Sequence, residues 1–333
     1  MMLLGGDLGG TKTLLALAEL RADGALAIVD EVRYASADWP DFAPLLADFR
    51  ARHKVPVSAA CFGLAGPVDA GTAKLTYLPW RLDAQALAAD FALGRVALVN
   101  DFVAAASGIE LLPANACATL QAGAPLAEAP RVVVGAGTGL GVAGVLRHAD
   151  ETVVVAGEGG HQGFSPQSAE QAALWQHLFA QHGRVTAEDI ISGPGLARVH
   201  AFLGGGNWSP AAIGTAAKQH GAAGTQPKAG PDAVSDACPH PATAAAALSL
   251  WLSAYGAFAG DLALSWLARG GVYLAGGIAG KLIGDAEAAT FLAAFNAKRE
   301  HRALAEAMPV RLVREERLGL LGALAKARAL LRR

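Results

Sequence analysis

The strongest constraint on the fold is a pattern that occurs twice. Near the N-terminus an apolar run at 3–7 ends in Asp7-Leu8-Gly9-Gly10-Thr11, and two further apolar runs follow at 13–20 and 25–32. From residue 131 the order returns. A run at 131–134 ends in Gly135-Ala136-Gly137-Thr138-Gly139-Leu140-Gly141, with runs at 142–147 and 152–155 behind it. Short apolar runs bounded by glycine read as strands, and the glycine pairs between them as tight turns. Helix-spaced segments follow at 41–53 and 83–91 in the first half, and at 168–182, 195–203, 210–219 and 242–267 in the second. Strands are predicted at 57–64, 96–99, 271–274 and 310–313, and a last helix at 318–332. The pattern implies two similar α/β units of mixed sheet flanked by helices, with ligands at the strand ends.

A length of 333 residues fits two domains. The net charge of -2, with no basic block, argues against nucleic acid as a partner, since phosphate binding wants a clustered Lys/Arg face. Cys61, Cys117 and Cys238 share no spacing, so neither a disulfide framework nor a zinc site is expected. Met1-Met2-Leu3-Leu4-Gly5 lacks the basic region and long apolar core of a signal peptide, and a cytoplasmic protein is expected. The uncharged stretch 244–260 is slightly short of a membrane span and reads as a buried central helix; no membrane partner is expected. Residues 221–241, rich in Gly, Pro and Ala, read as a surface loop.

Leu98-Val99-Asn100-Asp101-Phe102 ends a buried strand on two polar side chains before a helix. Asn and Asp are favoured helix caps, and on this stretch alone a cap outweighs a catalytic group. The two glycine loops admit a similar choice. A plain hairpin explains most single Gly pairs, but two such loops, each ending a first strand, suit phosphate oxygens that approach bare backbone N–H groups. Thr11 and Thr138 add hydroxyl donors, and Asp7 can hold Mg²⁺ through its waters. Gly139-Leu140-Gly141-Val142-Ala143-Gly144 matches GxGxxG but runs into a strand, so it is not a dinucleotide loop. Gly280-Lys281 lacks the first Gly and the Ser/Thr of a P-loop. Glu158-Gly159-Gly160-His161 and Glu188 would each pass alone as surface charges. Grouped with Asn100 and Asp101, they supply acceptors for a polyhydroxylated ligand. Glu158 and His161 have no third zinc ligand at the usual spacing.

Six motifs in order give the chain a resemblance to the bacterial glucokinase family, within the hexokinase and actin-like ATPase superfamily. They are Asp7-Leu8-Gly9-Gly10-Thr11, Asn100-Asp101-Phe102, Gly135 to Gly141, Glu158-Gly159-Gly160-His161, Ser192-Gly193-Pro194-Gly195-Leu196 and Ala275-Gly276-Gly277-Ile278. The resemblance implies two ribonuclease-H-like (actin-like ATPase) domains with mixed sheets flanked by helices and the active site in the interdomain cleft. The small domain is expected over 1–110 plus the C-terminal helix at about 315–333, and the large domain over 111–314. It implies ATP-dependent phosphorylation of D-glucose at the 6-hydroxyl, the entry to glycolysis, by a homodimer with Mg²⁺. By the same resemblance Asp101 is the catalytic base, and Asn100, Glu158, His161 and Glu188 bind sugar hydroxyls. Asp7, Gly9, Gly10, Thr11, Gly137, Thr138 and Gly139 form the two phosphate loops, with Asp7 on the metal side, and Gly276 and Gly277 the adenosine-side loop.

The chain also departs from the family. Tyr77 stands where members usually carry Asn near the sugar. That keeps a kinase for another hexose or amino sugar open, and a catalytically silent sugar-binding paralogue, although Asp101 and both phosphate loops count against the latter. Lys12-Thr13 replaces a common Asn-Ala, with less expected consequence. A related group of sugar kinases and repressors carries a zinc-binding Cys cluster after its Glu-Gly-His motif; residues 162–182 contain no Cys.

Overall fold

Residues 2–35 fold as an antiparallel meander because the apolar runs are joined by turns too short for a parallel crossover. β1 (Met2–Leu8) pairs with β2 (Lys12–Leu20), and β2 with β3 (Leu26–Ala35). The first turn closes through the Gly9 N–H, which donates to the Lys12 carbonyl at 3.0 Å. The computed structural model describes residues 1–76, 78–113, 115–148, 151–222 and 240–332. Tyr77, Cys238 and residues 223–239 of the expected loop therefore lie outside the described residues.

Helix α1 (Phe42–Arg52) starts where the Asp41 carboxylate accepts the Phe42 N–H, and it buries Phe42, Leu45, Leu46 and Phe49. β4 (Val57–Leu64) returns parallel to β1. β5 (Val68–Asp69), β6 (Thr72–Lys74) and β7 (Arg81–Asp83) then make a small three-stranded sheet. Strands of two or three residues carry too little periodicity to be read from sequence, and none was expected here. Asp83 caps α2 (Ala84–Asp90), β8 (Leu93–Asn100) runs parallel to β4, and α3 (Asp101–Gly108) follows.

The later elements are β9 (Cys117–Gln121), β10 (Arg131–Ala136), β11 (Leu140–His148) and β12 (Glu151–Gly157). Helices α4 (Ala169–His182), α5 (Ala187–Ile190), α6 (Gly193–Phe202), α7 (Pro210–Ala222) and α8 (Pro241–Trp266) follow. β13 (Gly271–Ala275), α9 (Ala279–Leu282), α10 (Asp285–Phe295), α11 (Arg302–Glu306), β14 (Val310–Val313) and α12 (Leu318–Leu330) complete the chain. Helix α10 was not among the expected elements. Its apolar spacing at Ala288, Phe291, Leu292 and Phe295 is helical, but the surrounding alanines mask it.

The chain divides into two compact units. One comprises Met1–Ala116, Asp150–Ala156 and Glu315–Arg333; the other, Cys117–Ala149 and Gly157–Arg314. The first sheet has the order β3-β2-β1-β4-β8, and the second β12-β11-β10-β13-β14-β9. Helix α8 is long and apolar enough to cross a membrane by composition, yet most of it is buried against α10, α7 and α6. Its polar atoms are matched inside the second unit: the Trp251 indole N–H donates to the Ser192 carbonyl, and the Tyr255 hydroxyl to the Val134 carbonyl, both at 3.1 Å.

In the first unit, α12 lies on α3 through small residues. A Cβ at Gly322 would collide with the Ala104 carbonyl and come within 2.9 Å of the Gly108 nitrogen. Alanine would gain about 1 kcal/mol of helix propensity. The collision outweighs that gain, since forcing atoms into a packed interface costs about 1–3 kcal/mol and sometimes more. Gly322→Ala is expected to lower stability by about 2 kcal/mol net in urea unfolding; an unchanged midpoint would contradict this packing.

Candidate active site

The strand registers bring the predicted residues to sheet ends. Asp7 lies beside Gly63, and Gly63 beside Val99, so the carboxyl ends of β1, β4 and β8 are level. Gly63 leaves the middle of this row bare. A Cβ there would meet the Ala104 Cβ at 2.7 Å and lie 3.8 Å from the Asp101 Cα. The space taken by a side chain elsewhere is used here to seat the first turn of α3.

Asn100 is the cap of α3. Its Oδ1 accepts the Phe102 N–H at 2.8 Å and the Val103 N–H at 3.4 Å, and its Nδ2 reaches the Gly66 carbonyl at 3.5 Å. Asp101 is thereby the first helical residue, and its Oδ1 also accepts from the Phe102 N–H at 2.8 Å. The two polar residues have divided the roles that the sequence left ambiguous: Asn100 caps, and Asp101 adds a carboxylate in the first turn.

Asp7 is partly buried. Burial first, then the Asp101 carboxylate, push its carboxyl up to about 6, while Lys12 pulls it back. Two carboxylates at one sheet end, one of them with a raised pKa, are a functional-site signal. Helix α12 presses on this point. A Cβ on Gly319 would meet the Asp7 Oδ2 at 2.7 Å, so glycine lets the carboxylate keep this position against the helix. The start of α12 is held by Arg317, which donates to both Glu315 oxygens at 2.9 and 2.8 Å and to Glu31 at 3.3 Å. Neither Gly319 nor Lys12 was expected to matter here. Glycines at 319 and 322, one turn apart in an apolar helix, were the available signal of close approach.

The second unit holds the remaining residues. Gly137 and Gly139 close the β10–β11 turn, the Gly137 N–H donating to the Gly139 carbonyl at 2.8 Å. Glu188, in the first turn of α5, accepts the Leu140 N–H at 2.8 Å, and a Cβ on Gly139 would stand 2.6 Å from its Oε2. Thr186 and Asp189 fix this turn as a reciprocal capping box. The Gly193 N–H, at the start of α6, donates to the Gly137 carbonyl at 2.8 Å. β10 and β13 run parallel with Gly135 opposite Ala275, so Gly276 and Gly277 follow at the same sheet end as Gly137. Gly276 has φ +91°, and a Cβ there would collide with the Ala136 carbonyl, which makes glycine obligatory. Glu158 and His161 stand mostly exposed on a 3-10 turn, with His161 Nε2 4.0 Å from Glu158 Oε2.

Asp7, Gly9, Gly10, Thr11, Asn100 and Asp101 thus belong to the first unit. Gly137, Thr138, Gly139, Glu158, His161, Glu188, Gly276 and Gly277 belong to the second. Among the described residues no group of three or more His, Cys, Asp or Glu side chains forms a ready metal cage. A divalent ion fits Asp7 differently. Its charge would offset the repulsion between the Asp7 and Asp101 carboxylates.

The chain is similar to known proteins over nearly its whole length. The family model described as Glucokinase matches residues 4–330. A curated glucokinase from Nostoc sp. is 37% identical, covering 97% of each chain. The crystal structure of a glucokinase from an Antarctic psychrotroph superposes with a TM-score of 0.85 at 26% identity, over 98% of this chain and 99% of that one. A ROK family glucokinase from Streptomyces griseus, solved with glucose and AMPPNP, shares the fold at TM-score 0.60 and 20% identity, over 99% and 100% of the two chains. With the family model matched over residues 4–330 and a relative 37% identical over nearly the full length, the chain belongs to the glucokinase family.

Proposed function

We propose that this chain transfers the γ-phosphoryl group of ATP to the 6-hydroxyl of D-glucose, the entry step of glycolysis. The observation that carries the reading is the pair of carboxylates at one sheet end, Asp7 on β1 and Asp101 just past the end of β8, near enough that Asp101 raises the pKa of Asp7, with Asn100 capping α3. Asp101 accepts the proton of the sugar 6-hydroxyl as that oxygen attacks phosphorus. Asn100, Glu158, His161 and Glu188 bind the other hydroxyls and hold the ring for in-line attack. The Asp7-Gly9-Gly10-Thr11 and Gly137-Thr138-Gly139 loops offer backbone N–H and hydroxyl donors to the phosphates, and Gly276-Gly277 lets the backbone approach the adenosine. Mg²⁺, when bound on the Asp7 side, supplies positive charge that balances the phosphate oxygens. Little covalent chemistry is left to the protein, so positioning and charge supply most of the rate. Full-length family membership favours a cytoplasmic homodimer.

Product analysis by ³¹P NMR tests the reaction. Phosphorus coupled to the C6 methylene protons of glucose is expected; no sugar phosphate, or one phosphorylated elsewhere, would refute it.

Glu188 has two tasks in this scheme, and two substitutions separate them. Glu188→Gln keeps an acceptor for the Leu140 N–H but loses the charge toward the sugar. A hydrogen bond to a charged group is worth about 1.5–3 kcal/mol, so the KM for glucose should rise about tenfold or more. Glu188→Ala also releases the Gly137–Gly139 turn and should raise the KM for ATP as well, read by steady-state kinetics. Equal effects of the two substitutions on both constants would contradict the division.

A further inference from the structure

Helix α9 is four residues long and follows the Gly276-Gly277 loop directly. Its first turn is tied back to the loop: the Gly280 N–H donates to the Gly276 carbonyl at 3.4 Å, and the Leu282 N–H to Ile278 at 2.9 Å. A helix this short has almost no internal ladder. Its carboxyl-end carbonyls need partners from outside, and an unsupported end frays.

Two cations from different elements supply those partners. Arg314, just after β14, donates from Nη1 to the Gly280 carbonyl at 2.7 Å and from Nη2 to the Ile283 carbonyl at 3.3 Å. Lys218, on α7, donates from Nζ to the Lys281 carbonyl at 2.6 Å. Three carbonyls at one helix end are thus held by two positive side chains, which also complement the negative end of the helix dipole. Behind them α7 comes close enough that a Cβ on Gly214 would collide with Leu282.

We infer that Arg314 and Lys218 are positioning residues for the nucleotide. They clamp the far end of α9 so that Gly276 and Gly277, at its near end, keep the backbone path offered to adenosine. This rests on the assignment of Gly276-Gly277 to the nucleotide side. Gly276 takes its φ of +91° without strain as a glycine, so the path of the loop is set by what holds its ends: the Ile278 N–H on the Ala136 carbonyl at 3.4 Å and α9 beyond it. Neither cation touches substrate in this account.

The test is steady-state kinetics of the full chain with Arg314→Ala, Lys218→Met, the double variant, and Gly277→Ala as a probe of the loop. A Cβ on Gly277 meets nothing within 4 Å in the protein itself, so that variant reports only on what approaches from outside. Arg314→Ala is expected to raise the KM for ATP five- to tenfold and Lys218→Met about threefold. The KM for glucose should move less than twofold and kcat little. Arg314→Lys should recover part of the loss. A general loss of folding would instead lower the active fraction and leave both KM values alone, which active-site titration distinguishes. If Gly277→Ala raises the KM for ATP while Arg314→Ala and the double variant do not, the clamp is wrong and the loop assignment stands. If neither moves it, the loop assignment fails and the clamp with it.

Discussion

Asp101→Asn is expected to cut kcat by about 10²–10⁴-fold, the usual range for a lost general base. The substitution is nearly isosteric. Asparagine offers the same Oδ1 to the Phe102 N–H, and Asn100 still caps α3. The fold should therefore survive, and glucose should still bind measurably in equilibrium titration. What disappears is an acceptor able to take the proton of the attacking hydroxyl. A second effect follows from the neighbouring carboxylate: without the Asp101 charge, Asp7 loses one of the two influences that raise its pKa. Near-normal turnover in this variant would remove Asp101 from the mechanism.

Asp7→Asn should separate stability from activity. The Asp7 carboxyl rises from 3.8 to about 6 on folding, through burial and then Asp101. Below pH 3.8 both folded and unfolded chains are protonated here, and the group is neutral in its effect. Between those values the folded protein holds a proton that the unfolded chain has released, so this contribution to stability falls as pH rises. Above about pH 6 the full cost of an ionised, partly buried carboxylate remains, about 2–3 kcal/mol. Asp7→Asn should thus stabilise the free protein at pH 7.5 by an amount of that order and change little at pH 4. On the proposed mechanism its activity should fall at least about tenfold, because the charge that would face Mg²⁺ and the phosphates is lost. Mg²⁺ should raise the melting temperature of the parent protein at pH 7.5 and leave the variant's unchanged. A variant less stable than the parent at pH 7.5 would contradict the account of Asp7.

Much of this arrangement was legible from the chain alone. The glycine turns after residues 8 and 136, the strand into Asn100-Asp101 and the long helix ending near Trp266 all follow from apolar spacing bounded by turn and cap residues. Boundaries moved where a cap decided them: α6 begins at Gly193 rather than 195 because the Ser192 hydroxyl accepts the Gly195 N–H. The small β5-β6-β7 sheet was hidden because its strands are too short to show a period. At the candidate site, local sequence could name Asp7, Asp101 and Glu188 but not their neighbours. Gly319 against Asp7, Gly63 under α3 and Glu188 on the Leu140 N–H join residues far apart in the chain. Only strand register and helix packing bring such groups together. The effect of Lys12 on Asp7 was underrated for the same reason, since its importance depends on how buried the carboxylate is.

The central claim is best tested by ADP release from ATP and Mg²⁺, followed across a panel of hexoses and amino sugars with purified protein. The account predicts release that depends on sugar, is highest in kcat/KM with D-glucose, and is lost in Asp101→Asn. Release indifferent to sugar, or higher kcat/KM with another hexose than with glucose, would contradict it.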